Sequence, residues 1–114
     1  MSPINCYFDT MADTDLYSGL IRLHILYHAS KEPIFGLGMI RELRRHRYSI
    51  SAGTLYPMLH RLEGKKYLSS HQELVGGKLR KVYTITKLGN RALQQAKDKV
   101  YELFEELTED AGKR

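Results

Sequence analysis

Residues 51–63 constrain the fold more than any other segment of this sequence, because their apolar residues recur at helical spacing. Four apolar positions at i, i+3, i+4 and i+7 predict one core-facing stripe: Leu55, Met58, Leu59 and Leu62. Ser51 is the predicted N-cap, but Pro57 has no N–H to donate, so a helix start near Thr54 is the alternative. The opposite face is small, aromatic and basic: Gly53, Tyr56, Pro57, His60, Arg61 and Gly64.

A β-hairpin is predicted directly after this helix. Two extended runs, at about 67–74 and 79–86, flank the pair Gly76 and Gly77. Because glycine tolerates positive φ, a Gly-Gly pair between extended runs predicts a tight hairpin turn. The tip and the return strand of this hairpin are basic and carry Lys78, Arg80 and Lys81.

Two helices are predicted before the central helix. The first begins at its cap, Asp15, and runs to about Ala29. Its apolar stripe consists of Leu16, Leu20, Leu23 and Tyr27, widened by Ile21 and Ile25. The second helix spans about residues 37–46, after a break at residues 30–33. Its predicted inward side chains are Leu37, Ile40 and Leu43.

The last predicted helix is capped by Thr86 and reaches about Glu109. Its apolar residues are spaced 3, 4, 3, 4, which is the 3.5-residue repeat of a coiled coil. An isolated monomer would leave this seam in water, so we predict a homodimer through the last helix. The predicted dimer interface consists of Leu93, Ala96, Val100, Leu103, Phe104 and Leu107.

Positive charge is concentrated in the middle of the chain. Residues 31–87 hold twelve Lys/Arg and four Asp/Glu, a local charge of +8 within a net charge of +5. This distribution indicates a surface that faces a polyanion. The element order predicts a mainly α fold with a small β-hairpin, a winged helix-turn-helix with a long C-terminal dimerisation helix. We divide it into a flexible N-terminal arm (1–14), a DNA-binding domain (15–86) and the dimerisation helix (87–114).

A helix-turn-helix lays its second helix in the major groove, and a basic hairpin beside it reaches neighbouring phosphates. Hydroxyl groups near the helix start suit phosphate oxygens, a glycine lets the backbone approach, and Arg61 suits guanine or phosphate. Each residue type also has a structural interpretation, in which glycine and proline shape a turn and wing cations protect an edge strand. The predicted DNA-binding residues are Ser51, Gly53, Thr54, Tyr56, Pro57, His60, Arg61, Lys78, Arg80 and Lys81.

The segment Ile50–Leu62, ISAGTLYPMLHRL, resembles the recognition region of PadR-family transcriptional regulators. The following GKKYL, the hairpin GGKLRKVYTIT and the helix start LGNRAL match the same family pattern, over about residues 16–107. The resemblance implies a winged helix-turn-helix fold, a homodimer joined by the C-terminal helices and, usually, transcriptional repression. It places the DNA contacts on the recognition helix and wing named above. Two departures are the wing end, Arg80-Lys81-Val82-Tyr83 in place of Arg-Lys-Tyr-Tyr, and the absence of the tryptophans that bind planar drugs in some relatives.

The sequence argues against an enzyme. The only cysteine, Cys6, lies in the predicted arm, and no Ser-His-Asp, HExxH or phosphate-loop pattern occurs, so we predict no catalytic residue and no cofactor. His24 and His28 are spaced i, i+4, as two metal ligands on one helix face would be. No nearby cysteine or second histidine pair completes a site, so packed or surface histidines are favoured and no metal is predicted.

Two other functions stay open at this point. A winged-helix module can bind protein instead of DNA, although the basic recognition face disfavours this. A ligand sensor would need a cavity, for which aromatic residues are available: Tyr17, Tyr27, Tyr101 and Phe104. Aromatic residues at helical spacing are usually core, so a small-molecule effector is compatible with the pattern but not indicated by it. With no membrane-length apolar run, no secretory signal and a single cysteine, we expect a cytoplasmic protein with no membrane partner.

Overall fold

The computed structural model describes residues 13–112, so Cys6 and nearly all of the predicted arm lie outside the described residues. The elements follow the predicted order of three helices, a hairpin and a long helix, ended by one further helical turn. They are α1 (Thr14–Lys31), α2 (Gly36–Arg45), α3 (Ala52–Gly64), β1 (Leu68–Val75), β2 (Lys78–Ile85), α4 (Lys87–Leu107) and α5 (Glu109–Gly112). None of the helices in this part of the chain has the length and apolar character that crossing a bilayer requires.

Helix α1 has two apolar faces on nearly opposite sides. The core face consists of Ile21, Ile25, Leu26 and Ala29, whereas Leu16, Leu20 and Tyr27 of the predicted stripe are exposed. At about 100° per residue, positions 16, 20, 23 and 27 lie about half a turn from positions 21, 25 and 29. The predicted single stripe therefore joined residues of two different faces: Ile21 and Ile25 face the core, whereas Leu16, Leu20 and Tyr27 do not. The cap is Asp13, whose carboxylate accepts a hydrogen bond from the Leu16 N–H at 3.3 Å, and not the predicted Asp15.

Helix α2 buries Met39 and Leu43, and the predicted inward residue Leu37 is exposed. Since Leu37 precedes Met39 by two residues, it points about 200° away from the core face. Just before α2, Ile34 pairs with strand β2: its N–H donates to the Tyr83 carbonyl at 2.9 Å and its carbonyl accepts from the Tyr83 N–H at 2.8 Å. This bridge fixes the start of α2 against the hairpin.

Helix α3 buries the four predicted core residues, Leu55, Met58, Leu59 and Leu62. It begins at Ala52, directly after Ser51, so the alternative start near Thr54 is wrong. Pro57 lies inside the helix on its exposed face. Because Pro57 has no N–H, the carbonyl of Gly53 lacks its helical hydrogen-bond donor. Gly53 is exposed, so water can donate to this carbonyl instead.

Strands β1 and β2 form an antiparallel hairpin in which Leu68 pairs with Ile85 and Val75 pairs with Lys78. The two residues between them are Gly76 and Gly77, with φ of 57° and 81°. Both angles lie in the left-handed region that glycine adopts without a steric cost, so the prediction of a Gly-Gly turn is confirmed.

The junction between β2 and α4 is attached to the end of α3. Thr86 caps α4 as predicted, accepting a hydrogen bond from the Gly89 N–H at 2.9 Å. The Thr86 hydroxyl donates to the Lys66 carbonyl at 2.6 Å, and its N–H donates to the Tyr67 carbonyl at 3.0 Å. A Cβ atom at Gly89 would overlap the Tyr67 carbonyl oxygen, so only glycine allows this approach. Helix α4 ends at Leu107, two residues before the predicted end.

Candidate nucleic-acid interface

The N-terminal end of α3 is an exposed, capped helix start. The Ser51 side chain accepts a hydrogen bond from the Thr54 N–H at 3.3 Å, and the two hydroxyl oxygens are also 3.3 Å apart. Gly53 is exposed, and a Cβ atom there would meet only the Ser51 hydroxyl, at 3.8 Å. These groups surround the positive end of the helix dipole, where a phosphate oxygen is stabilised by backbone N–H groups and hydroxyls.

The outward face of α3 is exposed along its whole length, at all six positions predicted for it. Tyr56 remains 46% exposed while its ring covers the backbone of Gly36 at the start of α2. A Cβ atom at Gly36 would overlap this ring, so the glycine provides the space that Tyr56 occupies. The sequence pattern gave no indication of this role, because the two residues are distant in the chain.

The three wing cations have different surroundings. Lys78 follows the Gly-Gly turn, is exposed, and forms no ion pair within the described part of the chain. The Arg80 guanidinium stacks 4.0 Å from the centroid of the Phe35 ring. Lys81 lies 3.6 Å from the Glu63 carboxylate at the end of α3.

Glu63 attaches the wing to the recognition helix. Its carboxylate accepts a hydrogen bond from the Ser70 hydroxyl on β1 and pairs with Lys81 on β2. The Ser70 hydrogen bond, followed by the positive charge of Lys81, holds the pKa of Glu63 below its ordinary value. The ionised carboxylate therefore fixes the orientation of both strands relative to α3.

A cleft of about 770 Å³ separates the recognition helix from the wing. It brings together six of the ten predicted DNA-binding residues: Tyr56, Pro57, His60, Lys78, Arg80 and Lys81. Ser51, Gly53 and Thr54 lie at the open end of α3, and Arg61 is exposed on the same helix outside the cleft lining. A helix edge beside a basic hairpin suits a nucleic-acid backbone and the base edges next to it.

A second groove, of about 870 Å³, runs between α1 and α4. Among the predicted dimer residues, Leu93 is buried in the core of its own protomer and Ala96 is half-buried in this groove. The remaining four are exposed: Val100, Leu103, Phe104 and Leu107. Tyr27, Tyr101 and Phe104 line the groove, whereas Tyr17 packs against the core near Tyr48. The groove is therefore a largely apolar surface made mainly by α1 and α4, with Glu42 and His46 from the end of α2 at one side.

Three histidines converge on one side of this second groove, where the sequence pattern indicated only two. His24 and His28 lie on α1, and His46 follows the C-terminal end of α2, with 4.5 Å between the ring centroids of His24 and His46. Glu42 lies beside them. Burial lowers the pKa of His24, and the neighbouring His46 and His28 rings lower it further. The sequence also spaces Glu42 and His46 i, i+4, which places them on one face of α2 and its C-cap.

A capped recognition helix, a preceding helix across a short turn and a basic hairpin define a winged helix-turn-helix protein. Residues 25–95, more than half of the chain, match the transcriptional regulator PadR-like family. This protein belongs to that family, whose members are DNA-binding transcriptional regulators and not enzymes.

Individual relatives agree with this assignment. The chain is 45% identical over 87 residues to transcriptional regulator Rv3488 of Mycobacterium tuberculosis, a match that covers 76% of this chain and 81% of the relative. A PadR-family regulator from Eggerthella lenta superposes with a TM-score of 0.77 at 28% identity, over 96% of this chain and 98% of its own. A PadR-like regulator from Bacillus cereus also gives a TM-score of 0.77, at 26% identity, over 83% and 94% of the two chains.

Proposed function

We propose that this protein is a homodimeric repressor that binds an inverted-repeat operator in the bacterial cytoplasm. Helix α3 enters the major groove of each half-site, and the wing contacts the adjacent backbone. Residues 15–86 form the DNA-binding unit, and the helix that begins at residue 87 joins the two protomers. Repression follows from occupancy, because a dimer bound over a promoter excludes the polymerase.

The observation that carries this proposal is the cleft between α3 and the wing. It combines an exposed polar helix face with Lys78, which has no ion-pair partner among the described residues, and the hydroxyl-rich start of α3 lies on the same helix beyond the cleft. Twelve of the 18 Lys/Arg residues fall within residues 31–87, which favours a polyanionic partner over a protein surface.

The groove between α1 and α4 supports a dimer. Val100, Leu103 and Phe104 are 41%, 47% and 62% exposed in the protomer, and Leu20 and Tyr27 of α1 are exposed as well. A contiguous apolar surface of this kind marks an interaction site, and the 3.5-residue repeat of α4 favours a second copy of the same helix. The proposed interface therefore includes the outer face of α1, in addition to the α4 residues predicted from the spacing.

Two-fold symmetry determines the form of the operator. An isologous dimer presents its two recognition helices in inverted orientation, so the operator is an inverted repeat with half-site centres about 10 base pairs, or a multiple, apart. Few long polar side chains lie on the outward face of α3, so few bases are contacted directly. Specificity then depends on DNA shape and on half-site spacing.

Selection of bound fragments from a random DNA pool tests the proposal and yields the operator. We expect a sequence with dyad symmetry, bound by two protomers, that silences a reporter when placed over its promoter. Inserting about five base pairs between the half-sites rotates one of them by about half a turn and should abolish tight binding, whereas inserting a full turn should restore part of it. A selected site without dyad symmetry, or tight binding that survives the half-turn insertion, would contradict a dimeric DNA-binding mode.

A further inference from the structure

Helices α1 and α2 present two matched pairs of side chains to each other. His24 and His28 are spaced i, i+4 on α1, and Glu42 and His46 are spaced i, i+4 on α2 and its C-cap. Residues four apart lie on one helix face, so each helix contributes two side chains to a single cluster. The ligating nitrogens of the three histidines all lie within 4.8 Å of one another.

Glu42 completes the cluster with one oxygen. Its Oε2 atom lies 3.7 Å from Nε2 of His28 and 3.7 Å from Nε2 of His46. Its Oε1 atom lies 3.5 Å from the Arg45 guanidinium. The two imidazole distances exceed the hydrogen-bond range of about 2.7–3.2 Å, so these two nitrogens face Oε2 without bonding to it. Arg45 thus holds the carboxylate with the other oxygen directed towards the imidazoles.

We propose that His24, His28, His46 and Glu42 form a binding site for a divalent transition-metal ion, with Zn²⁺ as the reference ion. Three imidazole nitrogens and one carboxylate oxygen are a common tetrahedral ligand set for Zn²⁺. In such a site each ligand atom is about 2.1 Å from the ion, so ligand atoms are about 3.4 Å apart. The 3.7 Å separations are close to this value, and the histidine nitrogens, which lie within 4.8 Å of one another, reach it by rotation of their side chains.

The ligand chemistry also determines which ions are excluded. Imidazole favours Zn²⁺, Ni²⁺, Co²⁺ and Cu²⁺, whereas Mg²⁺ and Ca²⁺ require mainly oxygen ligands. The site is half-buried, with His24 and His28 partly covered and His46 exposed, so an ion can enter from solvent.

An ion at this position would link helices α1 and α2. The ligands belong to two helices, and all four residues line the groove between α1 and α4. A bound ion therefore joins the helix that borders the proposed dimer surface to the first helix of the helix-turn-helix. Because the ligands come together only in the folded protein, the ion should raise the midpoint of thermal unfolding.

The test uses the full-length protein without a polyhistidine tag. Calorimetric titration with Zn²⁺ should give one ion per protomer, and titration with Co²⁺ should give the visible absorption of a tetrahedral ion. The double variant His28→Gln/His46→Gln should bind Zn²⁺ at least about tenfold more weakly and lose this absorption. The control is His71→Gln, which removes an exposed histidine of the wing that pairs with Glu73 and should change neither result.

Both replaced side chains are partly exposed, so the double variant should fold. Thermal unfolding without metal verifies this. Zn²⁺ should then raise the unfolding midpoint of the native chain and of His71→Gln, but not of the double variant. Absence of stoichiometric Zn²⁺ binding by the native chain would overturn the site, and so would undiminished binding by the folded double variant. Neither readout involves DNA, so the outcome is independent of the proposed operator binding.

Discussion

The guanidinium of Arg80 lies 4.0 Å above the ring of Phe35, and this stacking joins the wing to the residue that precedes α2. The neighbouring residue, Ile34, pairs with β2 through two backbone hydrogen bonds, so the contact lies at a point where the chain is already held to the wing. Arg80 was predicted to contact DNA, and its stacking on Phe35 gives the side chain a defined direction from which to do so.

Phe35→Leu should therefore weaken DNA binding although Phe35 carries no charge. A cation–π contact at a partly exposed site is worth about 0.5–1 kcal/mol, and its loss lets Arg80 sample other rotamers. A double-mutant cycle with Arg80→Met should give a coupling energy in that range in chemical denaturation. Phe35→Tyr, which keeps an aromatic ring, is the control. Additive effects of the two substitutions would contradict the stacking contribution.

The wing cations should differ in their contribution to salt dependence. Lys78 has no ion-pair partner in the described residues, so Lys78→Ala should reduce the slope of log affinity against log salt by about 0.9 per protomer, or about 1.8 for the proposed dimer. Lys81 is already neutralised by Glu63 at 3.6 Å, so Lys81→Ala should change the slope by less. Fluorescence anisotropy on operator and random DNA at several salt concentrations measures the slope for each variant. Equal changes would mean that the Lys81–Glu63 pair opens on the DNA.

Gly53→Ala should separate stability from DNA binding. The added Cβ atom meets only the Ser51 hydroxyl at 3.8 Å, so the substitution fits the protein and should stabilise α3 by up to about 1 kcal/mol. The same atom would stand between the backbone and a closely approaching DNA strand, so affinity should fall. Gly64→Ala, at the other end of α3 and with no atom within 4 Å of the added Cβ, should leave affinity unchanged. Unchanged affinity for both variants would remove Gly53 from the interface.

Val100→Asp with Leu103→Asp should produce a folded monomer. Both side chains are substantially exposed in the protomer, so the charges disturb only the dimer contact. Each charge buried without a partner costs several kcal/mol, so dimer affinity should fall by about a hundredfold or more. Sedimentation velocity measures the association state and circular dichroism the fold. Gln94→Asp with Gln95→Asp adds the same charge at exposed positions outside the seam and should leave the dimer intact.

Arg61→Ala distinguishes two kinds of DNA contact. If the guanidinium binds a guanine base, the substitution should cost about 1–3 kcal/mol on the operator and relax the base preference at one symmetric pair of positions. If it binds phosphate, operator and random DNA should weaken equally, with a smaller salt slope. Because Arg61 lies outside the lining of the wing cleft, we expect the base contact. Repeating the fragment selection with Arg61→Ala decides between a base contact and a phosphate contact.

Local rules predicted the parts of the fold that depend on local chemistry. Ser51 and Thr86 cap their helices because each cap is formed by residues within one turn. The Gly76-Gly77 turn follows from a backbone angle that few other residues adopt. The predicted core stripe of α3 is correct because a single apolar stripe can face only one core.

Features that depend on tertiary packing could not be predicted from spacing within one helix or strand. Helix α1 has two apolar faces, and periodicity cannot determine which one the protomer buries and which one stays exposed. The position of His46 beside His24 depends on the packing of α2 on α1, which no spacing within either helix specifies. The stacking of Arg80 on Phe35 likewise joins residues 45 positions apart, as their numbers show.

The attachment of Thr86 and Gly89 to the turn after α3 couples the tilt of helix α4 to the position of α3. Hydrogen bonds and a close backbone contact join the first turn of α4 to Lys66 and Tyr67, directly after the recognition helix, so a tilt of α4 is transmitted to the end of that helix. Helix α4 has 21 residues and is therefore about 30 Å long, so a tilt of about 5° displaces its far end by about 2.6 Å. In the proposed dimer, an adjustment of that size between the two α4 helices would alter the angle at which both recognition helices meet the duplex. Half-site spacing would then be tuned by substitutions that never approach DNA.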